Sequence, residues 1–122
     1  MILVDTSVWV SYLKTGNAKL KGLLEEGLVV CHDFIIGELA CGNLRNRKEI
    51  LALLGDLPKA EIAEHREVLR FIEERGLQGK GLGYIDVHLL ASAILTGLPL
   101  WTLDNRLKEA AVELKVDETC AS

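Results

Sequence analysis

The sequence predicts an α/β domain with a central, mainly parallel sheet between two helical layers, on three observations. Short, uniformly apolar runs at Ile2-Leu3-Val4, Leu28-Val29-Val30-Cys31 and Leu100-Trp101-Thr102-Leu103 have the composition of strands buried on both faces. The stretches between them carry apolar residues at helical intervals. Strand and helix alternate along the chain, and a strand that returns to its sheet through a helical crossover returns as a parallel neighbour.

Taken in order, the first strand breaks at Asp5. Thr6 and Ser7 are good N-caps, and Val8, Trp9, Tyr12 and Leu13 then recur at helical spacing. Lys14 to Asn17 reads as a turn, and Leu20, Leu23 and Leu24 mark a short second helix closed by Gly27. After the second strand Asp33 is the expected cap of a third helix carrying Phe34, Ile35, Leu39 and Cys41, stopped by Gly42-Asn43. Arg45, Arg47 and Lys48 lead into a fourth, with Ile50, Leu51, Leu54 and Leu57 on one face and Pro58 at its end. The piece around Ile62 fits a strand or a connector. A fifth helix, Glu64 to Arg75, places His65, Val68, Leu69 and Ile72 on an apolar face, where His65 reads as a satisfied core residue, with Gly76 as C-cap. The glycine-rich loop Gln78 to Gly83 opens a sixth helix, Tyr84 to Thr96, stopped by Gly97 and Pro99. Asp104 caps a last helix carrying Leu107, Ala110, Ala111 and Leu114, and Val116 is placed to start a terminal strand. No repeat, low-complexity stretch or linker interrupts the pattern, so residues 1–122 read as a single domain.

A chain of 122 residues, 49% apolar and 26% charged, can bury a core without staples and is neither disordered nor disulfide-dense. The odd cysteine count, Cys31, Cys41 and Cys120 with no Cys-x-x-Cys pair, points to reduced thiols and away from a structural zinc site. Cys31 and His32 are neighbours whose side chains leave a strand on opposite faces, so both read as packing. No basic leader precedes the first apolar run and no stretch is long enough to cross a bilayer, which predicts a soluble cytoplasmic protein without a membrane partner. The net charge of −4 opposes bulk attraction to nucleic acid. A polyanionic partner would need a local device, such as metal ions held by carboxylates.

Most acids fit solvated helix faces; four do not. Glu38 shares its helix face with Phe34, Ile35, Cys41 and Gly42, and Asp86 shares its own with Leu89, Leu90, Ala93 and Ile94. A carboxylate on a core-facing stripe is costly unless paired or bound to a metal. Asp5 and Asp104 each follow a strand, at the sheet edge where α/β proteins bind ligands. Asp104 has a bland alternative as a helix cap; for Asp5 that alternative is weaker, because Thr6 and Ser7 can serve instead. Four such acids near one edge would repel one another, and a hard cation with oxygen ligands, Mg2+ or Mn2+, is the natural neutraliser.

Val4-Asp5-Thr6-Ser7-Val8-Trp9, Glu38-Leu39, Asp86 with Leu89-Leu90-Ala91, and Thr102-Leu103-Asp104 together resemble the four acidic motifs of PIN domains, specifically the short VapC-type toxin ribonucleases. The resemblance spans the whole chain. It implies a three-layer α/β/α domain, Mg2+- or Mn2+-dependent endoribonuclease activity, a cognate VapB-type antitoxin, and a homodimer. The metal-binding, catalytic acids carry over to Asp5, Glu38, Asp86 and Asp104, and Ser7 and Thr102 match polar positions that support them. Leu107 departs from the family, where an aromatic residue is common.

In this reading metal-activated water attacks an RNA phosphodiester, with Asp5 and Asp86 as primary ligands. Lys14, Arg45, Arg47, Lys48, Lys80 and Arg106 lie in or beside connecting segments; Lys80 and Arg106 are the candidates to hold RNA phosphates, Lys80 first. His32, His65 and His88 are not required. An apolar groove among the first four helices would take an antitoxin segment. Two rivals differ in class: a non-catalytic PIN-like partner-binding module, and an aspartate-based phosphotransfer enzyme, which would need a second Asp where Ser7 stands.

Overall fold

Three parallel strands form the sheet in the order β2-β1-β3, with β1 (Ile2–Val4) between β2 (Val29–Val30) and β3 (Leu100–Trp101). The structure is a computed structural model and describes residues 1–120, the side chain at 120 excepted, so Cys120 lies outside the described side chains. Leu3 is the centre of the register, opposite Val30 on one side and Leu100 on the other, and all three are buried. Around the sheet run α1 (Thr6–Thr15), α2 (Ala18–Glu25), α3 (Asp33–Ala40), α4 (Arg47–Asp56), α5 (His65–Arg75), α6 (Tyr84–Thr96) and α7 (Asn105–Glu113), in a three-layer α/β/α arrangement. The third helix packs on α1 and α4, while α5 packs on α6 and α6 on β3.

Two strands are shorter than their apolar runs, because other partners take the backbone groups. Cys31 leaves the ladder with β1 and exchanges hydrogen bonds with the segment after α4: its N–H donates to Pro58 O at 2.8 Å and its carbonyl accepts from Ala60 N at 2.8 Å. At the end of β3, Leu103 N donates to Ser7 Oγ (3.0 Å) and Asp104 N to Thr102 Oγ1 (3.0 Å), so side chains rather than a strand receive them. The Ile62 piece is irregular and exposed; the sheet is extended at Lys59 instead. Near Val116 there is a single bridge, Leu100 to Asp117, before a short 3-10 turn over Glu118–Cys120.

Two caps also differ from the sequence reading. Asp5 itself, not Thr6 or Ser7, is the N-cap of α1. His32 rather than Asp33 caps α3: its Nδ1 accepts from Phe34 N at 3.0 Å, so Nε2 carries the proton and donates to Ser92 Oγ at 3.0 Å. Burial, then the neighbouring His88, lowers the His32 pKa, which keeps this link between α3 and α6 neutral. The sixth helix is buried continuously from Val87 to Ala93, as expected of a helix enclosed by its neighbours. His65, by contrast, is exposed rather than in the core. It meets Tyr84 Oη through Nδ1 at 2.5 Å, because Val68 turns inward on α5 while His65 and Leu69 share an uncovered face.

Since Leu3 is wholly buried in the central strand, Leu3→Ala should destabilise the protein by about 2–5 kcal/mol in urea unfolding. A loss below about 1 kcal/mol would mean that β1 is not the centre of the core.

Candidate active site

Asp5 stands at the carboxyl end of the central strand, where its N–H makes the last rung to Trp101 O at 2.9 Å. Its side chain is buried, and Oδ2 gathers three donors: Thr102 Oγ1 at 2.7 Å, Ser7 Oγ at 2.8 Å and, more weakly, Ser7 N at 3.4 Å. Ser7 and Thr102 hydroxyls also lie 3.2 Å apart. Ser7 and Thr102 thus both donate to Asp5, tying the start of α1 to the end of β3. Among the described residues nothing bonds to Oδ1 of Asp5, and that atom is not sealed from solvent.

The other acids repeat this division between a held oxygen and an open one. Asp104 is the N-cap of α7; its Oδ1 accepts from Arg106 N (2.9 Å) and Leu107 N (3.2 Å). Asp86 sits in the first turn of α6, and its Oδ2 reaches back to Gly83 N at 2.9 Å. Glu38 accepts on Oε1 from Thr6 Oγ1 at 2.7 Å, which brings it beside Asp5 from α3. Thr6, read from the sequence only as a helix cap, is thus the residue that ties Glu38 to the site. Its place next to Asp5 was the available signal.

Burial differs from the expectation for two of them. Glu38 is exposed and Asp86 only half-buried, so neither lies on a fully core-facing stripe. The apolar neighbours of Glu38 turn inward at Ile35 and Leu39, leaving Glu38 at the rim of that face. Asp86 is drawn to the N-terminus of its own helix. Its pKa is raised, first by burial and then by the charges of Asp5 and Asp104, against the lowering effect of the Gly83 N–H. Two acids from distant parts of the chain, Asp5 and Asp104, therefore act on the charge of Asp86. Each of the three also lies at a helix N-terminus, where exposed N–H groups favour negative charge by about 0.3–1 kcal/mol.

As they stand, no three His, Cys, Asp or Glu side chains among the described residues are grouped closely enough to hold a metal ion. The expected meeting of four carboxylates is thus not a closed cluster: the charges of Asp5 and Asp104 act on Asp86, and Glu38 is tied to the site only through Thr6. The donor set still suits a hard divalent cation: all oxygen, anionic, each acid with one oxygen fixed by the protein and one without a protein donor.

The two candidate phosphate ligands differ. Lys80 is paired with Glu113 at 2.8 Å, whereas the Arg106 guanidinium lies against Gly81. His88 is buried, its pKa lowered by burial and then by His65, and its ring packs edge-on against Phe34 and Tyr84. It contributes by ring packing, whereas His32 caps α3 and bonds Ser92.

The PIN domain family model matches residues 2–113, and the chain belongs to that family. It is similar to Ribonuclease VapC32 of Mycobacterium tuberculosis, in strain CDC 1551 / Oshkosh and in strain ATCC 25618 / H37Rv. The identity is 46% over 114 residues in both, covering 93% of this chain and 92% of each relative.

The raised Asp86 pKa fixes the sign of a stability effect. Folding favours its protonated form, so its contribution is lost as pH rises from the ordinary Asp value of about 3.9 through the folded value. Asp86→Asn keeps an acceptor for Gly83 N and removes the charge. In chelator, its melting temperature should exceed that of the parent at neutral pH, and the gain should shrink as the pH falls toward 4. A variant less stable than the parent at pH 7 would show that the folded state does not disfavour the charge of Asp86.

Proposed function

We propose that this chain is an Mg2+- or Mn2+-dependent endoribonuclease, the toxin of a type II toxin–antitoxin pair, acting on RNA phosphodiesters in the cytoplasm. The observation that carries the reading is the division of labour in the carboxylates of Asp5, Glu38, Asp86 and Asp104, one oxygen of each accepting from a protein donor and the other from none among the described residues. The family match and the ribonuclease relatives support it.

Ser7 and Thr102 hold Asp5 in one rotamer and hydrogen-bond its ionised form. Thr6 does the same for Glu38 and the Gly83 N–H for Asp86, so that the ligand oxygens are positioned before anything binds. When bound, a divalent cation would supply a water of lowered pKa and neutralise charge on the phosphate. The phosphotransfer alternative is disfavoured because Ser7, where that chemistry needs an acid, is already bonded to Asp5.

Three further proposals concern organisation. The family match over residues 2–113 and the single hydrophobic core support one PIN domain. A groove of about 480 Å³, lined by Val10, Leu13, Lys14, Leu44, Arg45 and Ile50, combines apolar walls with two cations and suits an amphipathic, acidic antitoxin segment. Exposed Leu69, Tyr84, Ile94 and Leu95 on α5 and α6 support a homodimer. No helix among the described residues is long and apolar enough to cross a membrane.

Purified Asp5→Asn and Asp86→Asn should fold, yet cleave RNA only at background level and lose the rise in melting temperature that Mn2+ gives the parent. Thr102→Val should retain activity reduced about 10- to 100-fold. Full cleavage by either Asn variant would remove the metal-acid mechanism.

A further inference from the structure

We infer that the loop before α6 and the first turn of α7 build one phosphate subsite, in which Arg106 holds an RNA phosphate beside the acids and Gly81 is its positioning residue. This rests on the RNA-cleaving reading above and assigns the cation that reading needs. A Cβ at Gly81 would lie 2.6 Å from Arg106 Nη1, 2.8 Å from Cδ and 3.0 Å from Cζ, so the end of the arginine side chain rests on bare backbone that only glycine provides. The φ of +75° at Gly81 independently restricts the position to glycine.

The guanidinium is held but uncommitted. Among the described residues it has no hydrogen-bond or ion-pair partner, while the Lys80 ammonium on the same loop is taken by Glu113. Its location follows from two backbone contacts. Arg106 N holds Asp104, and Gly83, two residues beyond Gly81, holds Asp86 through its own N–H. The Gly81–Arg106 contact therefore joins the segment that carries Asp86 to the one that carries Asp104. In a chain of net charge −4 whose site is acidic, such a local cation favours the approach of a phosphate. A guanidinium meets it with two donors at once, as an ammonium does not.

Gly79 supplies the control. It lies in the same loop with nearly the same φ, +74°, but a Cβ there meets nothing within 4 Å. Gly79→Ala thus imposes the backbone penalty alone, and Gly81→Ala imposes it together with displacement of Arg106. The test is the affinity of a labelled single-stranded oligoribonucleotide in chelator, where no cleavage occurs, as a function of salt. Arg106→Ala should weaken binding several-fold and lower the slope of log K against log salt by about 0.7, one phosphate contact on a single strand. Gly81→Ala should do the same, Gly79→Ala should not, and Gly81→Ala with Arg106→Ala should match Arg106→Ala alone. The subsite is overturned if the parent does not bind, if Arg106→Ala leaves the slope unchanged, if the two glycine variants behave alike, or if the double variant is additive. Cleavage with metal is assayed in parallel. Absent cleavage with the expected binding pattern would sink the nuclease reading and leave the subsite standing.

Discussion

The structure turns on the hydrogen bonds that end at Oδ2 of Asp5. They connect the end of the central strand, the first turn of α1 and the end of β3, and they take up the hydroxyls that would otherwise lie unsatisfied beside a buried charge. Without those donors an ionised carboxylate at that depth would be untenable. With them, charge is concentrated at one sheet edge and kept there.

The same device recurs. Asp104 and Asp86 each use one oxygen to satisfy N–H groups at the start of a helix, which is the ordinary business of a capping acid. Structural and functional explanations for these residues are therefore not competitors: capping fixes the carboxylate through one oxygen and leaves the other without a protein donor among the described residues. Three helix N-termini arrive at the sheet edge because parallel strands joined through helices bring the helix starts to the carboxyl ends of the strands. At Asp86 burial, and after it the charges of Asp5 and Asp104, disfavour the ionised form.

The four acidic positions stood out in the sequence because each interrupts a local pattern, a carboxylate ending an apolar strand or breaking apolar helical spacing, although Glu38 is exposed and Asp86 half-buried in the fold. The helices were legible for the complementary reason, that repeated apolar spacing and terminal glycines such as Gly76 and Gly97 are local signals. Strand ends were less so. Leu103 looks like strand, yet its N–H goes to a serine 96 residues away, and no local pattern encodes that choice. The cap of α3 escaped for a similar reason: histidine caps there because Ser92 fixes its tautomer from another helix.

What the sequence by itself determined is the alternation of strand and helix and the parallel sheet, since those rest on periodicity, and it singled out four candidate acids as charges placed against that periodicity. What only the tertiary structure decided is how each acid is held and how deeply. Glu38 stands exposed on a tether from Thr6, His65 lies outside the core, and Lys80 is committed to Glu113 while Arg106 rests uncommitted on Gly81. Those outcomes depend on partners 19 to 33 residues away in the hydrogen-bonded cases, and on a missing side chain at Gly81. Burial and pairing are properties of the packed chain, and no local stretch carries them.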